Sequence, residues 1–214
     1  MIKKLLESIF GTSKLSYDID NRGNASIPTI KFDEDVKRSL VIDWDVRFPI
    51  SGDTNACARF KEIIEQSLLN GSRVQGDNIE LLEMIESGSV ILNPIAEFQR
   101  KAAGKFKIVN RKAIITDNSL DELPYGTLSN LLKNNPKACL KAFEIAVRNY
   151  AMTKYHIARY VSDGIRKGKI SAVSQCARRC KLDKGRIISL DPNAMIIPHF
   201  LGCSCLIIPI VSFK

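Results

Sequence analysis

The residues of this chain best equipped for chemistry are Cys176, Cys180, His199, Cys203 and Cys205. Thiolates and an imidazole are the donors that tetrahedral zinc takes. Cys176 and Cys180 stand one helical turn apart, and His199, Cys203 and Cys205 follow farther along. The spacing matches neither a standard zinc finger nor a zinc ribbon, and a Cys-x-Cys pair is a weak signature. Cysteine is also a commonly buried small residue. The group is therefore expected in the core, with no metal and no cofactor.

Other catalytic arrangements find little support. Gly-x-Gly-x-x-Gly, the Walker pattern and Gly-x-Ser-x-Gly are all missing from the sequence. His156 falls on a basic helical stretch and reads as a surface residue. Asp43 and Asp45 share one side of an alternating stretch, where exposed carboxylates are normally just solvated. No catalytic residue is assigned, although scattered carboxylates would leave no motif.

Charge is the stronger signal. The net charge is +9 over 214 residues, and its distribution is uneven. From Lys133 to Arg186 there are fourteen Lys and Arg against Glu144, Asp163 and Asp183, a local charge of +11. A field confined to one segment suits a phosphate polymer or an anionic membrane surface. The residues assigned to an anionic partner are Arg166, Lys167, Lys169, Arg178, Arg179, Lys181, Lys184 and Arg186. The bland alternative is a solvated helix face.

These cations need elements to position them. Residues 1–10 have the pattern of a short amphipathic helix, with Ile2, Leu5, Leu6, Ile9 and Phe10 on one side. Residues 16–36 are polar and turn-rich, with a strand near 27–32. Leu40, Ile42, Trp44, Val46, Phe48 and Ile50 alternate with more polar residues and predict a strand. Asp53 or Thr54 caps a helix whose apolar face is Ala56, Cys57, Phe60, Ile63, Ile64 and Leu68, stopped at Asn70-Gly71. A shorter helix follows Asp77, then a strand at 90–92. Residues 105–116 read as a hairpin. After Pro124 helical periodicity takes over, and Asn135-Pro136 starts a long helix reaching about Val161.

The last basic stretch, residues 173–190, resembles a helix-turn-helix. Ala177 is the small residue at the helix contact, and Cys176, Cys180, Leu182, Ile187 and Leu190 fall at the apolar positions. That resemblance implies a recognition helix capped by Asp183, with Lys184 and Arg186 reading bases and Arg178, Arg179 and Lys181 on the phosphate backbone. Lys181 stands where a turn glycine is usual, and Gly185 falls inside the recognition helix.

Residues 194–213 are apolar, nearly long enough for a bilayer span. Pro198 and Pro209 favour two buried strands separated by Gly202 instead. The opening residues have no long apolar run and no small-residue cleavage site, which predicts free thiols in a reducing, cytoplasmic setting.

The expected fold is α+β: a small mixed sheet with helices over 1–125, a basic helical segment over 133–190, and an apolar tail over 191–214. The expected function is non-enzymatic nucleic-acid binding, DNA first, by a regulator or accessory protein able to dimerise. The alternative is a membrane-associated interaction protein using the amphipathic start, the basic segment and the apolar tail. No known family is recognisable across the chain.

Overall fold

The computed structural model describes residues 42–211 except 73, 111, 121, 173–177 and 204, with backbone alone at Arg178 and Arg179. The elements expected before residue 42, the first half of the helix-turn-helix and the last three residues lie outside that set.

The elements run α1 (Trp44–Arg47), β1 (Ile50–Gly52), α2 (Thr54–Leu69), α3 (Ile79–Glu86), β2 (Val90–Leu92) and α4 (Asn93–Ala102). Then come β3 (Phe106–Val109), β4 (Lys112–Ile115), α5 (Tyr125–Leu132), α6 (Pro136–Ser162), β5 (Lys167–Ser171), α7 (Arg178–Leu182), β6 (Ile187–Ser189) and β7 (Leu206–Pro209). The α+β class is as expected. The strands form three small antiparallel sheets: β1 with β2, β3 with β4, and β6-β5-β7.

Local chemistry explains most of the boundaries. Asp53 accepts from the Ala56 amide at 2.8 Å and starts α2, and Asn135 does the same for α6 through Ala138 at 3.1 Å. Each cap satisfies a donor that the first helical turn leaves over. Pro136 then supplies a preset φ in the first turn of α6. The hairpin turns at Asn110, whose φ of 49° is one that asparagine tolerates.

The helix α6 is the axis of the core. Leu140, Phe143, Ala146, Val147 and Ile157 are all buried along it. Trp44, Phe48 and Phe60 gather round Phe143 with ring centroids 6.4, 5.8 and 6.0 Å away, separations typical of favourable aromatic pairs. Truncating Phe143 to alanine would cost about 3–5 kcal/mol. One connected core reaches from Ile42 to Leu201 and includes residues from both the expected 1–125 body and the 133–190 segment.

Two expectations are corrected by this packing. The alternating stretch before Ile50 is not a strand over its described part. It holds one helical turn, because Trp44 and Phe48, four residues apart, dock together against α6, while Val46 is 73% exposed. Asp43 and Asp45 are exposed, as expected.

Over its described residues the apolar tail holds one strand rather than two. Residues 195–203 are irregular, with Met195, Ile197, Leu201 and Cys203 buried, and β7 pairs with the sheet. Among the described residues no helix is long and apolar enough to cross a membrane.

Candidate nucleic-acid interface and the thiol cluster behind it

The central strand β5 reads Lys-Gly-Lys-Ile-Ser, and its alternation sends Lys167 and Lys169 outward while Gly168 and Ile170 are buried. Gly168 lets Ile207 and Leu190 close over the strand: a Cβ there would sit 2.6 Å from Ile207 Cγ2 and 2.9 Å from Leu190 Cδ2, and those side chains would have to shift.

On one side β6 pairs with it, Lys167 opposite Ser189 and Lys169 opposite Ile187. The pairing continues at both ends. Leu190 N donates to Arg166 O at 3.0 Å, Ile170 N to Arg186 O at 2.9 Å, and Gly185 N to Ile170 O at 2.8 Å. These bonds place the segment 166–169 beside the segment 184–190. Arg166, Lys167, Lys169, Lys181, Lys184 and Arg186 are all exposed. Asp183 opposes them locally, with its Oδ1 3.1 Å from Arg186 Nη1. An open cleft of about 290 Å³ lies between Ile157 and residues 186–196, with Arg186 on its rim.

The expected recognition helix does not form. Asp183–Gly185 is a turn, and Ile187–Ser189 is the strand β6. Gly185 has a φ of 88°, which breaks a helix and suits a tight turn. Ile187 and Ile188, β-branched, then pair with β5. Lys184 and Arg186 therefore project from a turn and the start of a strand, not from the N-terminal end of a helix. The side chains of Arg178 and Arg179 lie outside the described set.

The long helix adds less to the surface than its charge suggests. Arg148 donates to the Ser72 carbonyl, and burial lowers its pKa. Lys137, Lys141 and Arg159 are exposed. His156 is not the surface residue expected. It is packed between Tyr155 and Tyr160, with ring centroids 5.4 and 6.1 Å away, and burial lowers its pKa.

Behind the cationic edge lies a cluster made of four of the five residues that the sequence singles out for their chemistry; Cys176 lies outside the described residues. Cys180 of α7, His199, Cys203 and Cys205 present one donor atom each, all within 4.8 Å of one another. Cys180 Sγ is 3.6 Å from Cys203 Sγ and 3.9 Å from His199 Nδ1. Cys203 Sγ is 3.7 Å from His199 Nδ1. The Cys180 thiol, then the backbone amides of Cys205 and His199, donate to Cys203 Sγ and hold its pKa well below that of an ordinary thiol; Cys180, the donor to Cys203 and itself buried, is pushed the other way. The Cys203 carbonyl accepts from Asn149 Nδ2 of α6 at 2.8 Å, tying the loop to the main core. Cys57, Cys139, Cys180, Cys203 and Cys205 are all free thiols.

The row Cys203, His199, Asp183 also has the order of a nucleophile, a base and a residue that orients it. Burial argues against that use. Cys203 is 1% exposed, and two further thiols crowd the space a substrate would enter.

No protein-family model, curated protein or solved structure matches this chain.

Proposed function

We propose that this chain is a non-enzymatic nucleic-acid-binding protein, a regulator or accessory factor of the cytoplasm whose first target is duplex DNA. It grips phosphates with Arg166, Lys167, Lys169, Lys181, Lys184 and Arg186. The observation that carries this reading is the β5–β6 pairing, which sets two exposed cation-rich stretches side by side, with Lys167 and Lys169 on the outer face of β5. Lysine and arginine on such a strip neutralise phosphates and release counterions. A short sheet bearing lysines suits backbone contact, and the sequence-reading helix of a helix-turn-helix has no part in it.

The test is fluorescence anisotropy of a labelled DNA duplex over a salt series. The expected result is saturable binding that weakens steeply with salt. Binding unchanged in a folded variant carrying Lys167→Ala, Lys169→Ala, Lys184→Ala and Arg186→Ala would overturn the reading.

A second reading, a membrane-associated interaction protein, draws on one specific observation. Ile187, Leu206 and Ile208 are exposed near the same lysines, with Lys169 paired to Ile187 on one side and to Ile208 on the other. An aliphatic and cationic face of that kind also suits an anionic bilayer. Flotation with vesicles containing phosphatidylserine separates the two: a DNA-binding protein stays at the bottom of the gradient.

A further inference from the structure

We propose that Cys180, His199, Cys203 and Cys205 together bind one structural Zn²⁺ ion, which stands in for a hydrophobic core beneath the β6-β5-β7 sheet.

The donor geometry comes first. Tetrahedral zinc holds sulfur at about 2.3 Å and nitrogen at about 2.0 Å, so its ligand atoms stand roughly 3.8 Å apart for S···S and roughly 3.6 Å for S···N. The measured separations of 3.6, 3.7 and 3.9 Å fall at these edge lengths. Cys205 lies within 4.8 Å of the other three donors and closes the fourth corner by a small adjustment. Three thiolates and one imidazole make a closed Cys₃His set, the kind found in structural rather than catalytic sites.

The histidine is prepared for the task. Its Nε2 donates to Asp183 Oδ2 at 2.8 Å. That bond places the ring proton on Nε2 and leaves the Nδ1 lone pair directed at the sulfurs. A carboxylate behind a ligating histidine is the usual way of fixing its tautomer and orientation.

The packing needs an additional tie. Among the described residues the buried cluster under this sheet is Ile170, Ala172, Cys180, Ile197, Cys203 and Cys205, with Ile188, Phe200 and Ile207 partly buried against it. Half of those buried members are cysteine, and small units with few large apolar side chains are commonly stapled by a metal. The ligands also join what the sheet leaves apart: α7 supplies Cys180, and the irregular segment before β7 supplies the other three. On binding, each thiol gives its proton to solvent and its sulfur lone pair to the ion.

The experiment uses the full chain without an affinity tag. Metal analysis of the purified protein should find one zinc per chain. Cys203→Ser and Cys205→Ser should lose it, while Cys57→Ser and Cys139→Ser keep it. To separate loss of the metal from loss of the fold in the first two variants, Co²⁺ is also titrated into the metal-free wild-type chain. A thiolate charge-transfer band with intense visible bands of tetrahedral Co²⁺, saturating at one equivalent, supports the assignment. A pale octahedral spectrum, a disulfide within the cluster, or zinc lost equally from the Cys57 and Cys139 variants overturns it.

Discussion

The two oxygens of the Asp183 carboxylate face different partners: Oδ2 lies 2.8 Å from His199 Nε2, and Oδ1 lies 3.1 Å from Arg186 Nη1. One side chain thus connects the thiol cluster to the cationic strip. Removing it should act on the two in opposite directions. Asp183→Ala leaves the His199 ring without its orienting acceptor, and loss of such a partner typically costs 10- to 100-fold in metal affinity. It also frees Arg186 and removes a negative charge from beside the strip. With zinc saturating, DNA affinity should hold or rise, while zinc affinity measured against a chromophoric chelator falls. Equal loss of both would mean that Asp183 merely supports the local fold.

The cationic strip makes a quantitative prediction about salt. If the six described cations each neutralise a phosphate, the logarithm of affinity should fall against that of salt concentration with a slope of about −5, and each Ala substitution should reduce the slope by about one. Lys169→Ala is the cleanest single test, since the side chain is exposed and β5 is held by backbone pairing on both edges. Arg148→Ala is the contrast. Its guanidinium serves the Ser72 carbonyl, so the slope should stay unchanged while the thermal midpoint drops.

How far these features could be read from the sequence depended on how local their causes are. Asp53 and Asn135 cap the helices expected of them because a cap is a contact between near neighbours. The hairpin at 106–115 was equally legible. The segment before Ile50 misled because positions 44 and 48 satisfy a period of two as well as a helical turn, and only Phe143, almost a hundred residues later, decides between them. Helix α4 passed unnoticed although Asn93-Pro94 repeats the start signal of α6 and Ile95, Phe98 and Ala102 keep helical spacing. The sequence names Cys180, His199, Cys203 and Cys205 as donors that could share one metal, but not that they do converge, since that requires β5 to lie between β6 and β7. No spacing rule contains that order.

Glu144 supplies a pH test away from either site. It is buried in α6, and Oε2 has no hydrogen-bond partner. Burial and the nearby Asp77 carboxylate raise its pKa to about 7, opposed by the Gly76 amide and by Arg148. An unfolded glutamate titrates near 4.5. Below that pH both states carry the proton, and the contribution to stability is fully present. Between 4.5 and 7 the unfolded chain releases its proton first, so stability falls, and above 7 the loss is complete. Urea midpoints at pH 5 and at pH 8.5 should therefore differ more in the wild-type chain than in Glu144→Gln. An identical difference in both would remove Glu144 as the cause.

The amide that reaches Glu144 belongs to a glycine for a reason that can be tested separately. Gly76 has a φ of 70°, and a Cβ built on it would lie 2.6 Å from the Lys137 carbonyl oxygen and 2.8 Å from the Lys141 nitrogen. Those are backbone atoms of α6, the core's own axis, so they cannot rotate away as a side chain would. Gly76→Ala combines a left-handed conformation, worth about 1–2 kcal/mol, with a clash that pushes the 74–78 segment off the helix. A loss of about 3 kcal/mol is expected from such a mechanism. Gly88 is the control: it too has positive φ, 76°, but nothing lies within 4 Å of its added Cβ. Gly88→Ala should cost only the conformational part, and the difference between the two denaturation midpoints measures how tightly the loop is seated on α6.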